Sequence, residues 1–95
     1  MEFKISPAIR HKLATRHNVT VEEVIECFMN RTDPSFTDDR EDHQTNPPTY
    51  WFLSETDCGR LLKVIYIQYP DHFAIKSAYE ANDTWIAHYA QLCGN

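Results

Sequence analysis

The hydrophobic period changes once along this chain, and that change limits the folds open to it. In residues 20–30, TVEEVIECFMN, the apolar side chains Val21, Val24, Ile25 and Phe28 recur at i, i+3, i+4 and i+7, the stripe of one helix face. In residues 60–69, RLLKVIYIQY, apolar and branched residues instead form a nearly continuous run, the pattern of a central strand. A chain holding both must lay helices against a sheet.

Local signals fill in the order of elements. Thr20 and Glu23 are spaced as a capping box, Glu22 and Glu23 sit where the helix dipole favours acids, and Asn30 and Pro34 end the helix. Residues 6–17 read as an earlier helix, with Ser6 as N-cap, Pro7 in the first turn, and Ile9 and Leu13 facing inward. Its outer side is basic, with Lys12 and Arg16 one turn apart; His11 and His17 read as part of this solvated face. Asn18 suits a left-handed stop. EFKI, before it, reads as a short first strand. Residues 49–55 and 72–79 read as strands flanking 60–69, joined by turns at TDCG and PD, which predicts an antiparallel meander. Residues 82–92 read as a C-terminal helix capped by Asn82 or Asp83, with Trp85, Tyr89 and Leu92 as its apolar stripe. The expected fold is α+β, one domain over 1–95: an N-terminal helical hairpin, a small antiparallel sheet and a C-terminal helix. One sheet face is expected to stay at least partly open, a natural place for a ligand.

Ninety-five residues support one core, and an apolar share of 42% excludes a disordered chain. Two glycines argue against a glycine-rich phosphate loop. No apolar run reaches membrane-spanning length and no signal-peptide pattern opens the chain, so the expectation is a cytoplasmic protein with no membrane partner. Cys27, Cys58 and Cys93 are odd in number and lack a CxxC pair, which supports neither a zinc knuckle nor a disulfide framework. Free thiols fit a reducing compartment; Cys27 reads as a packed core residue, and Asp57 beside Cys58 disfavours a thiolate there. The net charge of −5 is uneven: residues 1–20 carry four basic groups against one acid, and residues 21–59 carry two against ten. Generic nucleic-acid binding is excluded by that balance, so any RNA contact requires a local basic patch.

Three stretches carry a family resemblance: RHNVTVEEVIECFMN, GRLLKVIYI and IKSAYEAN. In order and spacing the chain resembles the BrnT-type toxins of bacterial toxin–antitoxin pairs, within the RelE/ParE-like group. The resemblance implies a RelE/ParE-like fold and a metal-independent RNA endonuclease that inhibits translation on ribosome-associated or free RNA, held in check by a cognate antitoxin. Ala74 and Tyr79 stand where that family tends to carry Arg. An alternative is a non-catalytic or ADP-ribose- or nucleotide-related binding module of the same fold, controlled by a protein partner.

RNA cleavage without metal needs a base for the ribose 2′-OH, a cation for the phosphorane and an acid for the leaving oxygen. The candidate catalytic residues are His43, which titrates near neutrality, Lys63 and Lys76 on adjacent strands, and Tyr79 at a strand end. Arg60 and Arg40 are the candidate substrate-binding residues, Arg60 as a bidentate phosphate clamp. Each has a plainer reading: Lys63 and Lys76 as solvent-side strand residues, Arg60 as an ion-pair partner of Asp57 or Glu55, His43 as a loop hydrogen-bond donor, Tyr79 as sheet packing. The acidic run DDREDH, residues 38–43, offers hard oxygen ligands without metal-binding spacing, so it reads as an ordered loop bordering the site. No metal and no cofactor are expected.

Overall fold

The computed structural model describes residues 2–37 and 47–94. Its elements run β1 (Glu2–Lys4), α1 (Pro7–Lys12), a π-helical turn (Leu13–His17), α2 (Val21–Asn30), β2 (Phe36–Thr37), β3 (Thr49–Glu55), β4 (Leu61–Gln68), β5 (His72–Glu80) and α3 (Asp83–Leu92). The strands form one sheet in the order β1-β5-β4-β3-β2. The architecture is α+β, and β3-β4-β5 is the antiparallel meander expected from the spacing of the strands.

The capping box starts α2. The Thr20 hydroxyl accepts from the Glu23 N–H at 3.1 Å, and the Glu23 carboxylate accepts from the Thr20 N–H at 3.0 Å. The helix then lays Val24 and Cys27, both fully buried, onto the sheet. Phe28 packs beside them, whereas Val21 and Ile25 of the expected stripe are only half-buried. The Phe28 ring meets Phe3, Phe52, Tyr66 and Phe73 with centroids 4.9–5.2 Å apart, so one side chain ties α2 to four strands.

Successive strand residues point to opposite faces. Phe52 meets α2, whereas its neighbour Trp51 meets Trp85 and Tyr89 of α3 at 5.1 and 5.4 Å. Helices therefore flank both faces, and the expected open face is covered: Trp51, Ile65 and Ile67 are all buried. The physical reason is the aromatic weight of α3, whose Trp85 and Tyr89 have nowhere else to bury their rings. Leu92, expected in that stripe, is instead exposed, and Cys93 packs against the core.

The expectation of a wholly antiparallel sheet is also corrected. β1 runs parallel to β5, with Phe3 opposite Phe73 and Lys4 opposite Ala74, so the chain begins in the sheet rather than in the helical hairpin. Phe3 gains a stacked contact with Phe73 at 5.5 Å in addition to Phe28, which fixes this short strand to the β5 edge. β5 carries one irregularity: Ile65 pairs with Ser77 and Tyr66 with Ile75, leaving Lys76 as the extra residue of a bulge. Bulges re-aim side chains at such points.

Candidate nucleic-acid interface

Among the described residues, the most unusual backbone is the turn after α1. Over Leu13–His17 the helix widens to π geometry, and the N–H of Asn18 bonds back to the Leu13 carbonyl. Asn18 closes it in the left-handed region, at φ 52°, and the Val19 N–H also donates to the Leu13 carbonyl at 3.0 Å. Asn tolerates this conformation better than most residues, since its short polar side chain bonds locally. Leu13 is buried and anchors the turn to the core. π-Helical turns are rare and concentrate at functional sites.

The turn brings His17 against β5. Its imidazole meets the Tyr79 ring edge-on, with centroids 5.4 Å apart. Partial burial lowers the His17 pKa below the ordinary 6.5, and the Lys12 and Arg16 cations lower it further. That shift favours the neutral imidazole, the form able to accept a proton. Lys12 reaches across and donates from Nζ to the Lys76 carbonyl at 3.4 Å. Lys76 in turn lines a shallow hollow of about 310 Å³ with Lys4. A basic strip, Lys4, Lys76, Lys12 and Arg16, thus follows the outer side of β5 and ends at the His17–Tyr79 pair.

Arg60 holds this strip from behind. Its guanidinium donates to the carbonyls of Asn18 at 2.6 Å and His17 at 3.1 Å, to Glu80 at 2.8 Å and to Glu23 at 3.2 Å. It pairs with Glu23 and Glu80 rather than with the nearby Asp57 or Glu55. The Glu80 hydrogen bond raises its pKa most; burial opposes this, and Glu23 adds to the rise. Burial alone would push the Glu23 carboxyl up, but hydrogen bonds from the Thr20 backbone and Arg60 outweigh it and hold the pKa below the usual carboxylate value. Arg60 is thus a positioning residue that pins the end of the π turn onto the sheet.

Replacing Arg60 with alanine is expected to cost about 2–3 kcal/mol in urea denaturation, the scale for losing hydrogen bonds to charged groups. Glu23 and the two carbonyls account for most of it, because Glu80 is largely exposed and a surface pair contributes little. Glu23 sets the pH dependence. A carboxyl with a depressed folded-state pKa stabilises the fold above its ordinary value of 4.5 and loses that contribution as pH falls through the folded-state value. The gap between wild type and Arg60→Ala should therefore narrow in acid.

Lys63 lies on the α3 face beneath the aromatic residues. Its ammonium sits 3.0 Å from the Trp85 ring centroid, 5.0 Å from Trp51 and 5.7 Å from Tyr79, and the residue is 1% exposed. Such close, desolvated cation–π contacts are strong. Lys63 is thus neither a solvent-side residue nor open to a phosphate; it braces Tyr79 from inside. Among the candidates, the structure brings Lys63 and Tyr79 into contact and places Lys76 beside Lys12. Arg60 is engaged by carboxylates and carbonyls. Arg40, His43 and the acidic run lie outside the described residues.

Lys4, Lys12, Arg16 and His17 are the site residues that reading the sequence did not select. The clue was the basic surplus of residues 1–20, but a five-residue Lys12–His17 spacing belongs to no regular helix face. Cys27 is a packed thiol, pushed by burial to about 12, and its Sγ lies 3.5 Å from the Ser54 carbonyl. Cys58 is exposed, and all three cysteines are free. Among the described residues no cluster of His, Cys, Asp or Glu is grouped to hold a metal ion, and no helix is long and apolar enough to cross a membrane. Compared with known proteins, the chain matches no family model and no curated sequence.

Proposed function

We propose that this chain binds single-stranded RNA along the β5 strip and cleaves it at the His17–Tyr79 pair, as the toxin of a toxin–antitoxin pair with a RelE/ParE-like fold acting in the cytoplasm. One observation carries the reading: a protein of net charge −5 gathers Lys4, Lys12, Arg16 and Lys76 along one strand edge, beside an imidazole, shifted toward its neutral form, that rests on a tyrosine. Phosphates would follow the cations, and the Tyr79 ring is a platform for a base.

In this scheme the His17 imidazole takes the proton of a ribose 2′-OH. The 2′ oxygen attacks the adjacent phosphorus, and the bond from phosphorus to the 5′ oxygen breaks. Tyr79 protonates that leaving oxygen and recovers its proton from the His17 imidazolium, leaving a 2′,3′-cyclic phosphate and a 5′-OH. Lys76 and Lys12 stabilise the charge that grows on the phosphorane. Lys63 holds the Tyr79 ring and Arg60 holds the His17 backbone.

The test is fluorescence anisotropy of a labelled single-stranded RNA at several salt concentrations. Three or four phosphate contacts should give a slope of log K against log salt of about −2 to −3, and the double change Lys12→Ala, Lys76→Ala should reduce its magnitude by about 1–1.5. Salt-independent binding, or none from folded protein, removes the RNA reading. A second reading is favoured by the engagement of Arg60 and Lys63 inside the fold, which leaves the strip without a bidentate clamp: a non-catalytic or nucleotide-related binding module controlled by a protein partner. Binding with the expected salt slope but no cleavage product would select it.

A further inference from the structure

On the far side of the sheet from the basic strip lies a groove of about 660 Å³ between the β3 edge, the segment after α2, and α3. Its floor is apolar, with Leu53, Ile86 and Tyr89, and its walls carry Asp33, Glu55 and Asp57. These three acids are exposed, and among the described residues no Lys, Arg or His lines the groove. The field of Asp33 reaches the floor: burial raises the Tyr89 and Cys93 pKa values and Asp33 raises both further, while the nearby Arg31 cation lowers that of Tyr89. Ile86 remains 39% exposed.

The β3 edge itself is closed to strand pairing at this point. Asn30 Nδ2 donates to the Glu55 carbonyl and to the Asp57 carboxylate, both at 3.0 Å, so an occupant must bind by its side chains. An apolar floor between exposed carboxylates fits apolar side chains flanked by ammonium or guanidinium groups. We propose that this groove docks a segment of a second protein in which leucine-like residues alternate with Lys or Arg. The groove lies on β3 and the start of β4, whereas the strip lies along β1 and β5, so a docked segment leaves the strip uncovered. The inference is independent of the RNA reading, because neither Lys76 nor His17 takes part.

The probe is an amphipathic Leu/Lys peptide, compared with its Leu/Glu counterpart, titrated into isotope-labelled protein and followed by amide NMR shifts and calorimetry. The Leu/Lys peptide should shift Leu53, Ile86 and Cys93 amides, and the Leu/Glu peptide should not bind. The double change Asp33→Asn, Glu55→Gln, on exposed side chains, should weaken binding at least about tenfold, as should Ile86→Ser. A thermal melt confirms that the variants are folded. Shifts confined to other surfaces, or affinity unchanged in both variants, would overturn the proposal. So would a dimer that Ile86→Ser dissociates, since the occupant would then be a second copy of this chain.

Discussion

Phe28→Ala is expected to destabilise the protein by about 3–5 kcal/mol in urea denaturation, the range for emptying a large aromatic site in a core. The value should fall toward the lower end, because Phe28 is half-buried. Phe28 nonetheless touches Phe3, Phe52, Tyr66 and Phe73, and the Arg31 guanidinium lies 5.8 Å from its ring. Four aromatic partners on four strands cannot all move inward to refill one space. Domains of this size hold about 5–15 kcal/mol in total, so the variant should sit near the edge of folding at 37 °C. Phe28→Leu, which keeps most of the volume, should cost less than half as much. A loss under about 1 kcal/mol for Phe28→Ala would mean that α2 does not seal the sheet as described, because core truncations of this kind cost several times more.

The largest expected effect on activity comes from His17→Ala, which should lower RNA cleavage by about 10²-fold or more, the range for losing a general acid–base group. Binding should change far less, because the cations are left in place. The pH profile gives an independent check. The lowered His17 pKa means the active base form persists below pH 6.5, so the rate should rise from acid pH to a plateau with an apparent pKa under that value. His17→Gln keeps a polar side chain near Tyr79 yet cannot take a proton; it should bind RNA and fail to cleave it. Cleavage by His17→Gln at the wild-type rate would take the base role away from this residue.

The parts of the fold that could be read in advance are those written in short-range pattern. The Thr20–Glu23 box and the Val21–Phe28 stripe announced α2, and the three long strands announced their meander, because each signal lies within a few residues of the feature it specifies. β1 was visible as a strand but not as a parallel neighbour of β5: Glu2–Lys4 is too short to carry a register, and its partner is set by Phe3 finding Phe73 and Phe28. The site was less legible. Lys63 stands in an apolar run whose alternation allows it to face either way, and only the arrival of Trp85 from the last helix decides that its ammonium is enclosed. Arg60 reads equally well as a ligand clamp or a local ion pair; its actual partners, Glu23, Glu80 and the His17 and Asn18 carbonyls, lie far away in sequence. His17 reads as a solvated helix residue because a regular helix leaves it outward, and the π turn changes that phase.

The parallel pairing of β1 with β5 also governs when the molecule is complete. Glu2 is synthesised long before its partner His72. Until then Phe3 has no Phe73 to cover it, and Arg60 arrives long after the carbonyls of His17 and Asn18 that it will hold. Contacts so distant along the chain are slow to form, because the intervening loop must close first. The basic strip and its histidine are therefore complete only once β5 has joined the sheet, so a chain lacking β5 has neither Lys76 nor Tyr79 to finish it.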